Sequence, residues 1–352
     1  MPAFLFGMME RYFSRVEEMT SSNDLIIRRA YSRVGLMGNP GDAFGGAAVA
    51  LTLSDLWAEA TLSPSDRLRF IEPGIEVSDW ESLHDFHQHI QDRGYYGGRR
   101  LMIALLERLI QYGRATGRPF KCPNFTLTWH STIPNRVGLA GSSALLTASL
   151  RAILDYSQYS VSKLDQVDIV WKTEKENLGI PAGPQDRVAQ VFEGLVFLEQ
   201  GKNSDLKVES LDTKTLPTLF VAIDGSSGEG TEVFHSNLRE RFLEGDPVVL
   251  QGLKELDGLA REARDLIKSG NGQQLGLLMD ENFNIRQRLV HLNPRHSAMV
   301  ERARQAGAHA KFAGSGGAIV GTCAKDQLGR VLEALRQHGY QVFPLTVKEA
   351  VQ

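Results

Sequence analysis

A glycine- and serine-rich loop that runs straight into an apolar helix constrains this chain more than any other segment. It has the sequence Pro-Asn-Arg-Val-Gly-Leu-Ala-Gly-Ser-Ser-Ala at positions 134–144. Gly138 and Gly141 carry no Cβ, so they let the backbone approach a ligand closely. Ser142 and Ser143 add hydroxyl groups where the helix begins, and the free N–H groups of a helix start attract a phosphate anion. The segment predicts a phosphate-binding loop, although the local pattern alone fits a serine N-cap after a glycine turn equally well.

The composition limits the classes of protein to which the chain can belong. With 352 residues it is long for one hydrophobic core, which favours two domains that share a cleft. A net charge of −3 gives no reason to expect a nucleic acid or a membrane surface as partner. Only Cys122 and Cys323 are present, so we expect no disulfide framework and a cytoplasmic location. Residues 1–25 lack the basic start of a signal peptide, and we expect them to form an N-terminal extension.

Apolar periodicity indicates a mixture of strands and helices, and hence an α+β fold of two domains. The predicted strands cover residues 26–37, 47–53, 57–62, 125–131, 194–199, 216–224, 318–322 and 341–345. The predicted helices cover residues 80–90, 99–112, 144–156, 161–177, 248–267, 272–288, 296–306 and 327–338. A polar, turn-rich segment at 200–205 predicts the domain boundary, which gives domains at 26–200 and 201–352.

Two further glycine-rich segments accompany the loop, one at 30–42 near the start and one at 311–320 near the end. Three such segments in this order resemble the signature motifs of the GHMP kinase superfamily, whose members phosphorylate galactose, homoserine, mevalonate and related small molecules with ATP. The resemblance runs from about residue 29 to residue 346. It implies an N-terminal domain like ribosomal protein S5 domain 2 and a ferredoxin-like C-terminal domain.

Within the superfamily, the chain resembles the plant-type glucuronokinases most closely. This likeness rests on the segments Arg-Val-Gly-Leu-Met-Gly-Asn-Pro-Gly-Asp (33–42), Gly-Tyr-Tyr-Gly-Gly (94–98), Gly-Leu-Ala-Gly-Ser-Ser-Ala (138–144), Gly-Pro-Gln-Asp-Arg-Val-Ala-Gln-Val (183–191) and Lys-Phe-Ala-Gly-Ser-Gly-Gly (311–317). It implies ATP and Mg2+ as cofactors, with the nucleotide held by Pro134, Gly138, Leu139, Ala140, Gly141, Ser142, Ser143 and Ala144.

The resemblance also implies which residues carry the chemistry. Gly-Ile-Pro-Ala-Gly-Pro-Gln-Asp at 179–186 is similar to the galactokinase-type segment that holds the catalytic base, which gives that role to Asp186. The alternative for an aspartate at a helix start is an N-cap, and one residue can fill both roles. Arg33 of the first motif would lie near the reacting phosphate and stabilise its developing charge.

A magnesium site follows from the same resemblance. Superfamily members place a magnesium-binding glutamate twelve residues before the catalytic aspartate, and Glu174 stands at that spacing. Ser143 matches the motif serine that joins the coordination. The motif is one residue longer than the commoner Gly-Leu-Gly-Ser-Ser form, because Ala140 and Gly141 stand where one residue is usual, so the choice between Ser142 and Ser143 stays open. Without the motif, the charged run around Glu174 fits a solvated helix face.

Asp42 is the residue expected to contact the acceptor. In sugar-kinase relatives the acid at this place contacts sugar hydroxyls, because a carboxylate accepts two hydrogen bonds from neighbouring hydroxyl groups. On local sequence alone, Asp42 fits an Asx-turn better. The pair Asn39-Pro40 stands where galactokinases carry Glu-His, which argues against galactose as the substrate.

D-Glucuronate is the acceptor that the resemblance implies, and D-glucuronate 1-phosphate is the product. Its carboxylate must be paired if buried, and arginine suits a bidentate contact. Arg187, Arg286 and Arg288 are the candidates, with the last two preferred because their helix could face the cleft; each also fits a structural ion pair. The alternatives are galacturonate, a neutral sugar or a mevalonate-like acid as acceptor, or a non-catalytic regulator that binds nucleotide or sugar. The sequence leaves open whether the protein is a monomer or a homodimer.

Overall fold

The structure is a computed structural model that describes residues 25–72, 76–93, 99–201, 205–225 and 238–350. All but the last residue of the predicted extension at 1–25, and the Gly-Tyr-Tyr-Gly-Gly segment at 94–98, lie outside these residues. Within the described ranges, no helix combines the length and the apolarity needed to cross a membrane.

A seven-stranded sheet forms the first half of the molecule. Its strands are β1 (Ile26–Met37), β2 (Ala48–Pro64), β3 (Leu68–Glu72), β4 (Glu76–Trp80), β5 (Phe125–Ser131), β6 (Leu195–Gln200) and β7 (Leu206–Leu211). They are joined in the order β4-β3-β5-β2-β6-β7, with β5 and β6 on different stretches of the long strand β2. Strand β1 lies off this path and pairs with β2 from Val49 to Leu62. Neighbouring strands are antiparallel except β3 and β5, which are parallel.

The central strand β2 corrects the prediction of two separate strands at 47–53 and 57–62. It runs unbroken for 17 residues. The irregularity falls where the break is predicted: Tyr31 of β1 pairs with Trp57 and Arg33 pairs with Thr52, so three more residues of β2 than of β1 lie between these two pairs. Such a bulge bends a strand without ending it. The bulge also places Arg33 at a point where the regular pairing of β1 is interrupted.

The described part of the first half contains five helices. They are α1 (Leu83–Arg93), α2 (Arg100–Ala115), α3 (Gly141–Ser157), α4 (Lys163–Lys172) and α5 (Gln185–Phe192). The phosphate-loop helix α3 packs on β1 and β2 through buried residues that include Leu146, Leu150 and Ile153. The single helix predicted at 161–177 is instead α4 followed by a π-helical turn, Thr173–Asn177. Such turns are frequent at functional sites, and this one carries Glu174.

A four-stranded antiparallel sheet forms the second half. Its strands are β8 (Leu219–Ile223), β9 (His309–Phe312), β10 (Ala318–Thr322) and β11 (Gln341–Pro344), in the order β11-β8-β10-β9. The helices are α6 (Pro247–Lys268), α7 (Leu275–Leu289) and α8 (Pro294–Gln305) between β8 and β9, and α9 (Leu328–Arg336) between β10 and β11. Along the chain, β8 to β11 are the first to fourth strands of this sheet, so their spatial order is fourth, first, third, second. This is the ferredoxin-like arrangement, and the expectation of a ferredoxin-like C-terminal domain is confirmed.

The first sheet extends beyond the predicted boundary at 200–205. Strand β7 pairs antiparallel with β6, so the two sheets separate only between Leu211 and Leu219. The chain end returns to the first half, where Val347 bridges Leu53. The sequence pattern does not predict β3, β4, β7 or β9, which have six residues or fewer.

The main apolar core joins the two halves. It lies among the first sheet and helices α2 and α3, and it continues to Ala260 of α6, Met279 of α7 and Val320 of β10. A separate cluster around Phe220 and Phe312 fills the second half. Because the halves share one core, residues from both can form a fixed site between them.

Candidate active site

A cavity of about 280 Å³ lies where the three glycine-rich segments meet. The predicted site residues that line it are Arg33, Asp42, Pro134, Gly138, Leu139, Ala140, Gly141, Ser142, Glu174, Asp186, Arg187 and Arg286. All predicted site residues fall in the described ranges. Three of them do not line the cavity: Ser143, Ala144 and Arg288. The structure thus brings together residues from the whole length of the chain.

The loop at 134–142 takes its shape from residues in the left-handed region. Arg136, Gly138 and Ala140 have φ values of +58°, +74° and +61°. Such angles are uncommon for residues with a Cβ and persist where the surroundings hold them. The carbonyl of Ala140 accepts a hydrogen bond from Gln190 Nε2 at 2.8 Å. Helix α3 begins directly after Ala140, so its unpaired N–H groups lie at the cavity wall, as a phosphate site requires.

The third glycine-rich segment packs directly on this loop. A Cβ on Gly314 would stand 2.0 Å from the carbonyl oxygen of Gly138, and a Cβ on Gly138 would stand 2.8 Å from that of Gly316. Only glycine permits contacts so close. Arg286 fixes the segment, because Nη1 donates to Gly314 O at 2.6 Å and Nη2 donates to Ser315 O at 2.8 Å. Burial lowers the pKa of Arg286 to about 9, which still leaves it cationic at neutral pH.

Asp186, the predicted base, is the second residue of α5 and lines the cavity. Arg33 Nη2 donates a hydrogen bond to Asp186 Oδ1. Nη1 of the same guanidinium donates to Ala313 O at 2.9 Å and to Gly138 O at 3.2 Å. Arg33 therefore joins Asp186 to both glycine-rich loops. The N-cap position of α5 belongs to Pro184, so the N-cap alternative for Asp186 does not hold.

Asp42 lies in a 3-10 turn, Gly41–Phe44, and is almost fully buried. Its Oδ2 accepts a hydrogen bond from the backbone N–H of Gln185 at 3.2 Å, so the first motif contacts the start of the helix that carries Asp186. The approach is close, since a Cβ on Gly183 would stand 2.1 Å from Oδ2. Burial raises the pKa of Asp42 from 3.8 to about 6, and repulsion from Asp186 adds to the rise. The contact with a distant helix replaces the local Asx-turn interpretation.

Glu174 is buried and has two side-chain partners. Its Oε1 accepts a hydrogen bond from Ser142 Oγ at 2.7 Å, and its Oε2 accepts one from Arg187 Nη2. Ser143 is fully buried, and its Oγ donates to the carbonyl of Ala140 at 3.2 Å. Ser142 is therefore the serine that faces Glu174. With 1% of its surface exposed, Glu174 does not lie on a solvated helix face.

The three arginines suggested for a substrate carboxylate have partners in the protein. Arg187 Nη1 donates to Gly183 O at 2.8 Å, in addition to the contact with Glu174. Arg286 holds the third glycine-rich segment. Arg288 is two residues further along α7, about 200° around the helix, and its exposed side chain pairs with Glu255. Contrary to the prediction, Arg288 is not a residue of the cavity.

Lys311 supports the site in a way that the sequence interpretation misses. It is fully buried in β9, and its Nζ donates to Gly35 O at 2.7 Å, Asn39 Oδ1 at 2.5 Å and Phe312 O at 3.0 Å. Burial lowers the pKa of Lys311 well below its usual range. Through these bonds the second sheet positions the Asn-Pro pair at the cavity wall. The signal in the sequence is a lysine directly before a short apolar and glycine-rich run.

Comparison with known proteins gives the family. Residues 101–194 match the model of the GHMP kinases N terminal domain, and residues 263–341 match that of the GHMP kinases C terminal domain. Glucuronokinase 1 of Arabidopsis thaliana is 35% identical over 337 residues, which cover 92% of each protein. The mevalonate kinase of Aeropyrum pernix is 27% identical over 64% of this chain and 68% of its own. The chain therefore belongs to the GHMP kinase family, and it is a phosphotransferase that acts on an alcohol group with ATP as the donor.

Solved structures show the same fold. Galactokinase of Lactococcus lactis in complex with galactose aligns with a TM-score of 0.79 at 15% identity, over 97% of this chain and 98% of its own. Mevalonate kinase of Methanococcus jannaschii aligns with a TM-score of 0.73 at 16% identity, over 93% and 99%. Together with the family match, these alignments confirm the two-domain GHMP kinase fold.

Proposed function

We propose that this protein is an ATP- and Mg2+-dependent kinase that phosphorylates the anomeric hydroxyl of D-glucuronate to give D-glucuronate 1-phosphate. The observation that carries the chemistry is the meeting of Asp186, Arg33 and Asp42 in the cavity formed by the loop at 134–142. The likeness to glucuronokinase 1 over 92% of the chain supports the choice of acceptor.

In this proposal the residues of the chain divide the work of phosphoryl transfer. Asp186 accepts the proton of the acceptor hydroxyl as its oxygen attacks the γ-phosphorus, and the bond to the bridging oxygen of ADP breaks. Arg33 orients Asp186 and places a cation beside the loop that holds the phosphates, where it stabilises developing negative charge. Asp42 accepts hydrogen bonds from neighbouring sugar hydroxyls and so orients the ring.

Glu174 and Ser142 fit a magnesium ion. Mg2+ takes oxygen ligands, and one or two from the protein suffice when phosphates supply others. The Oε1 atom of Glu174 and the Oγ atom of Ser142 lie 2.7 Å apart at the cavity wall, and Arg187 holds the carboxylate from its other oxygen. Across the described ranges, no group of three or more His, Cys, Asp or Glu forms a fuller cage. The ion, when bound, would neutralise charge on the β- and γ-phosphates.

Free thiols support a cytoplasmic place for the reaction. Cys122 and Cys323 form no disulfide. Burial raises the pKa of the Cys122 thiol to about 12, so it has little thiolate character at neutral pH. We therefore propose that the enzyme works in a reducing compartment, where its two small-molecule substrates meet.

An ADP-release assay over a panel of acceptors tests the function. The panel contains D-glucuronate, D-galacturonate, D-glucose, D-galactose and mevalonate. We expect kcat/KM for D-glucuronate to exceed each of the others by roughly 100-fold or more, because a site built for particular polar groups rejects analogues that lack them. A preference for a neutral sugar or for mevalonate would contradict the acceptor. ATP binding without turnover on any acceptor would indicate a non-catalytic regulator.

A further inference from the structure

A second chamber of about 300 Å³ opens beside the cavity, next to the turn that carries Asp42. The wall shared by the two spaces consists of Ala43, Pro181 and Ala182. The rest of its lining includes two cations, Lys175 and Arg239. The two cations therefore lie on the far side of residues that also line the cavity of Asp186.

Packing of the neighbouring residues fixes the backbone that carries Arg239. Its neighbour Leu238 is fully buried in an apolar cluster, and Phe44 of the 3-10 turn packs against the same cluster. The ring of Phe44 also contacts that of Phe242, with 5.1 Å between the centroids. The segment that carries Arg239 is thus held against the turn that presents Asp42 to the acceptor.

A separate set of contacts fixes Lys175. Its Nζ lies 4.9 Å from the centroid of the Trp171 ring. The indole Nε1 of Trp171 donates to the carbonyl of Ala182 at 2.8 Å. The indole therefore connects the lysine to the wall shared by the two chambers. A cation–π contact positions an ammonium group without neutralising its charge.

The two cations differ from the arginines of the main cavity in their partners. Among the described residues, no salt bridge joins Lys175 or Arg239 to a carboxylate. By contrast, Arg33 and Arg187 in the main cavity are both paired with carboxylates.

Of the other cations that line the main cavity, Arg286 holds the third glycine-rich segment and Arg136 belongs to the loop at 134–142, where the proposed function places the phosphates. An acceptor carboxylate directed away from that loop would meet Lys175 and Arg239.

We propose that Arg239 and Lys175 bind the carboxylate of a uronic acid acceptor, an inference that rests on the proposed function. In a pyranuronate the anomeric carbon and the carbon that bears the carboxylate flank the ring oxygen. In this proposal the anomeric hydroxyl lies at Asp186 and the ring is turned so that the carboxylate faces the second chamber. The guanidinium offers two parallel N–H groups to the carboxylate, and the ammonium adds a point charge.

Kinetics of Arg239→Met and Lys175→Met on D-glucuronate and D-glucose test the assignment, since glucose has a hydroxymethyl group in place of the carboxylate. Each substitution should raise KM for glucuronate roughly 10- to 100-fold and leave kcat, KM for ATP and any turnover of glucose unchanged. Both cations are exposed, so KM for glucuronate should rise with salt in the wild type and rise less in the variants. The matched controls are Arg288→Met and Lys172→Met, which remove cations outside both chambers that pair with Glu255 and Asp168, and they should behave as wild type.

The outcomes separate this proposal from the proposed function. Suppose that the wild type phosphorylates glucuronate. If both variants keep the wild-type KM for glucuronate, or if they lose turnover of glucose as much as turnover of glucuronate, the carboxylate site is wrong and the proposed function stands. A wild type that uses only neutral sugars overturns both. If the acceptor is another acid, the same variants measured with that acid decide: a raised KM supports the site, and an unchanged KM overturns it.

Discussion

Two carboxylates, Asp42 and Asp186, share one small space at the site and have different surroundings. Asp42 is buried, and its pKa is raised to about 6. The side chain of Asp186 is 23% exposed and pairs with Arg33. A partly exposed carboxylate can reach a substrate hydroxyl and return its proton to solvent, whereas a buried one is better suited to holding hydroxyl groups in place. The environments therefore support the division of roles proposed for the two residues.

Asp186→Asn should abolish phosphoryl transfer and leave ATP binding intact. Asparagine keeps the shape of the side chain but cannot accept the proton, and loss of a general base lowers the rate by roughly 10²–10⁴-fold. Single-turnover kinetics and calorimetric titration with ATP measure the two effects. Asp246→Asn is the control, because Asp246 caps α6 away from the cavity and asparagine caps a helix equally well. Wild-type turnover by Asp186→Asn would remove Asp186 from the mechanism.

Asp42→Asn should stabilise the protein at neutral pH while raising KM for the acceptor. Because the folded-state pKa of Asp42 is raised, the folded protein binds more protons than the unfolded chain between about pH 4 and pH 6 and loses stability as the pH rises through that window. Removal of the buried charge should therefore raise the free energy of unfolding by up to about 3 kcal/mol at pH 7.5 and by little at pH 4.5.

Thermal unfolding of Asp42→Asn at the two pH values checks this expectation. The control is Asp66→Asn, whose aspartate side chain is 76% exposed and should change stability at neither pH. An equal change in the melting temperature of Asp42→Asn at both pH values would show that burial of its charge does not limit stability.

At the scale of single elements, the start of α3 decides which serine meets Glu174. Ala140 directly precedes the helix in a left-handed conformation, and its carbonyl accepts a hydrogen bond from the hydroxyl of Ser143. Ser142 is thereby left to contact Glu174. Local sequence cannot distinguish the two serines, because the distinction depends on a backbone angle that other parts of the fold impose, including the hydrogen bond from Gln190.

Ser142→Ala should raise the Mg2+ concentration needed for half-maximal activity, whereas Ser143→Ala should not. Loss of a group that binds the metal or orients its carboxylate ligand typically weakens metal affinity by roughly 10-fold or more. Ser143 makes only a bond to its own helix start, so its loss should act on stability. Magnesium titrations of activity at saturating ATP compare the two variants. If the half-maximal Mg2+ concentration rose in the Ser143 variant alone, Ser143 and not Ser142 would be the serine at the metal site, as the family resemblance indicates.

Gly138→Ala should destroy activity because the two glycine-rich loops are in contact at this residue. An added Cβ would stand 2.8 Å from Gly316 O, and φ is already +74°. Gly339→Ala is a matched control, since its φ is +83° but nothing lies within 4 Å of an added Cβ. The control should lose about 1 kcal/mol of stability through strain alone and keep its activity. Similar activity in the two variants would show that the loop contact does not shape the site.

The sequence predicts the long helices and strands and most residues that line the cavity, but it does not predict which distant residues pair with one another. The strand at 26–37 and the strand at 318–322 match the predicted bounds, because residues that favour strands fill them and glycine-rich turns lie next to them. The break predicted inside β2 is instead a bulge between Thr52 and Trp57. The strand continues through it because β1 pairs on both sides and Leu53 bridges Val347, which depends on pairing between distant segments. Arg288 was assigned to the cleft from its helix alone, although positions two apart on a helix face different directions.

At the scale of the whole molecule, the site depends on both halves of the chain. Lys311 of the second sheet bonds to Gly35 and Asn39 of the first motif, and Asn282 of α7 donates to Asn39 O at 3.1 Å. Arg286 holds the glycine segment that packs on the phosphate loop. Since acceptor-side and phosphate-side residues are fixed by the opposite half, neither half contains a complete site. The order of the three motifs along the sequence predicts this meeting, but the bonds that hold it appear only in the fold.

The position of the phosphate in the product tests the central claim most directly. The enzyme is incubated with ATP, Mg2+ and D-glucuronate labelled with carbon-13 at C1, and the product is examined by phosphorus and carbon NMR. We expect one phosphorus signal that couples to the labelled carbon, and no such product from Asp186→Asn. A phosphate on any other carbon, or no phosphorylated glucuronate from an enzyme that consumes ATP with another acceptor, would contradict a glucuronate 1-kinase.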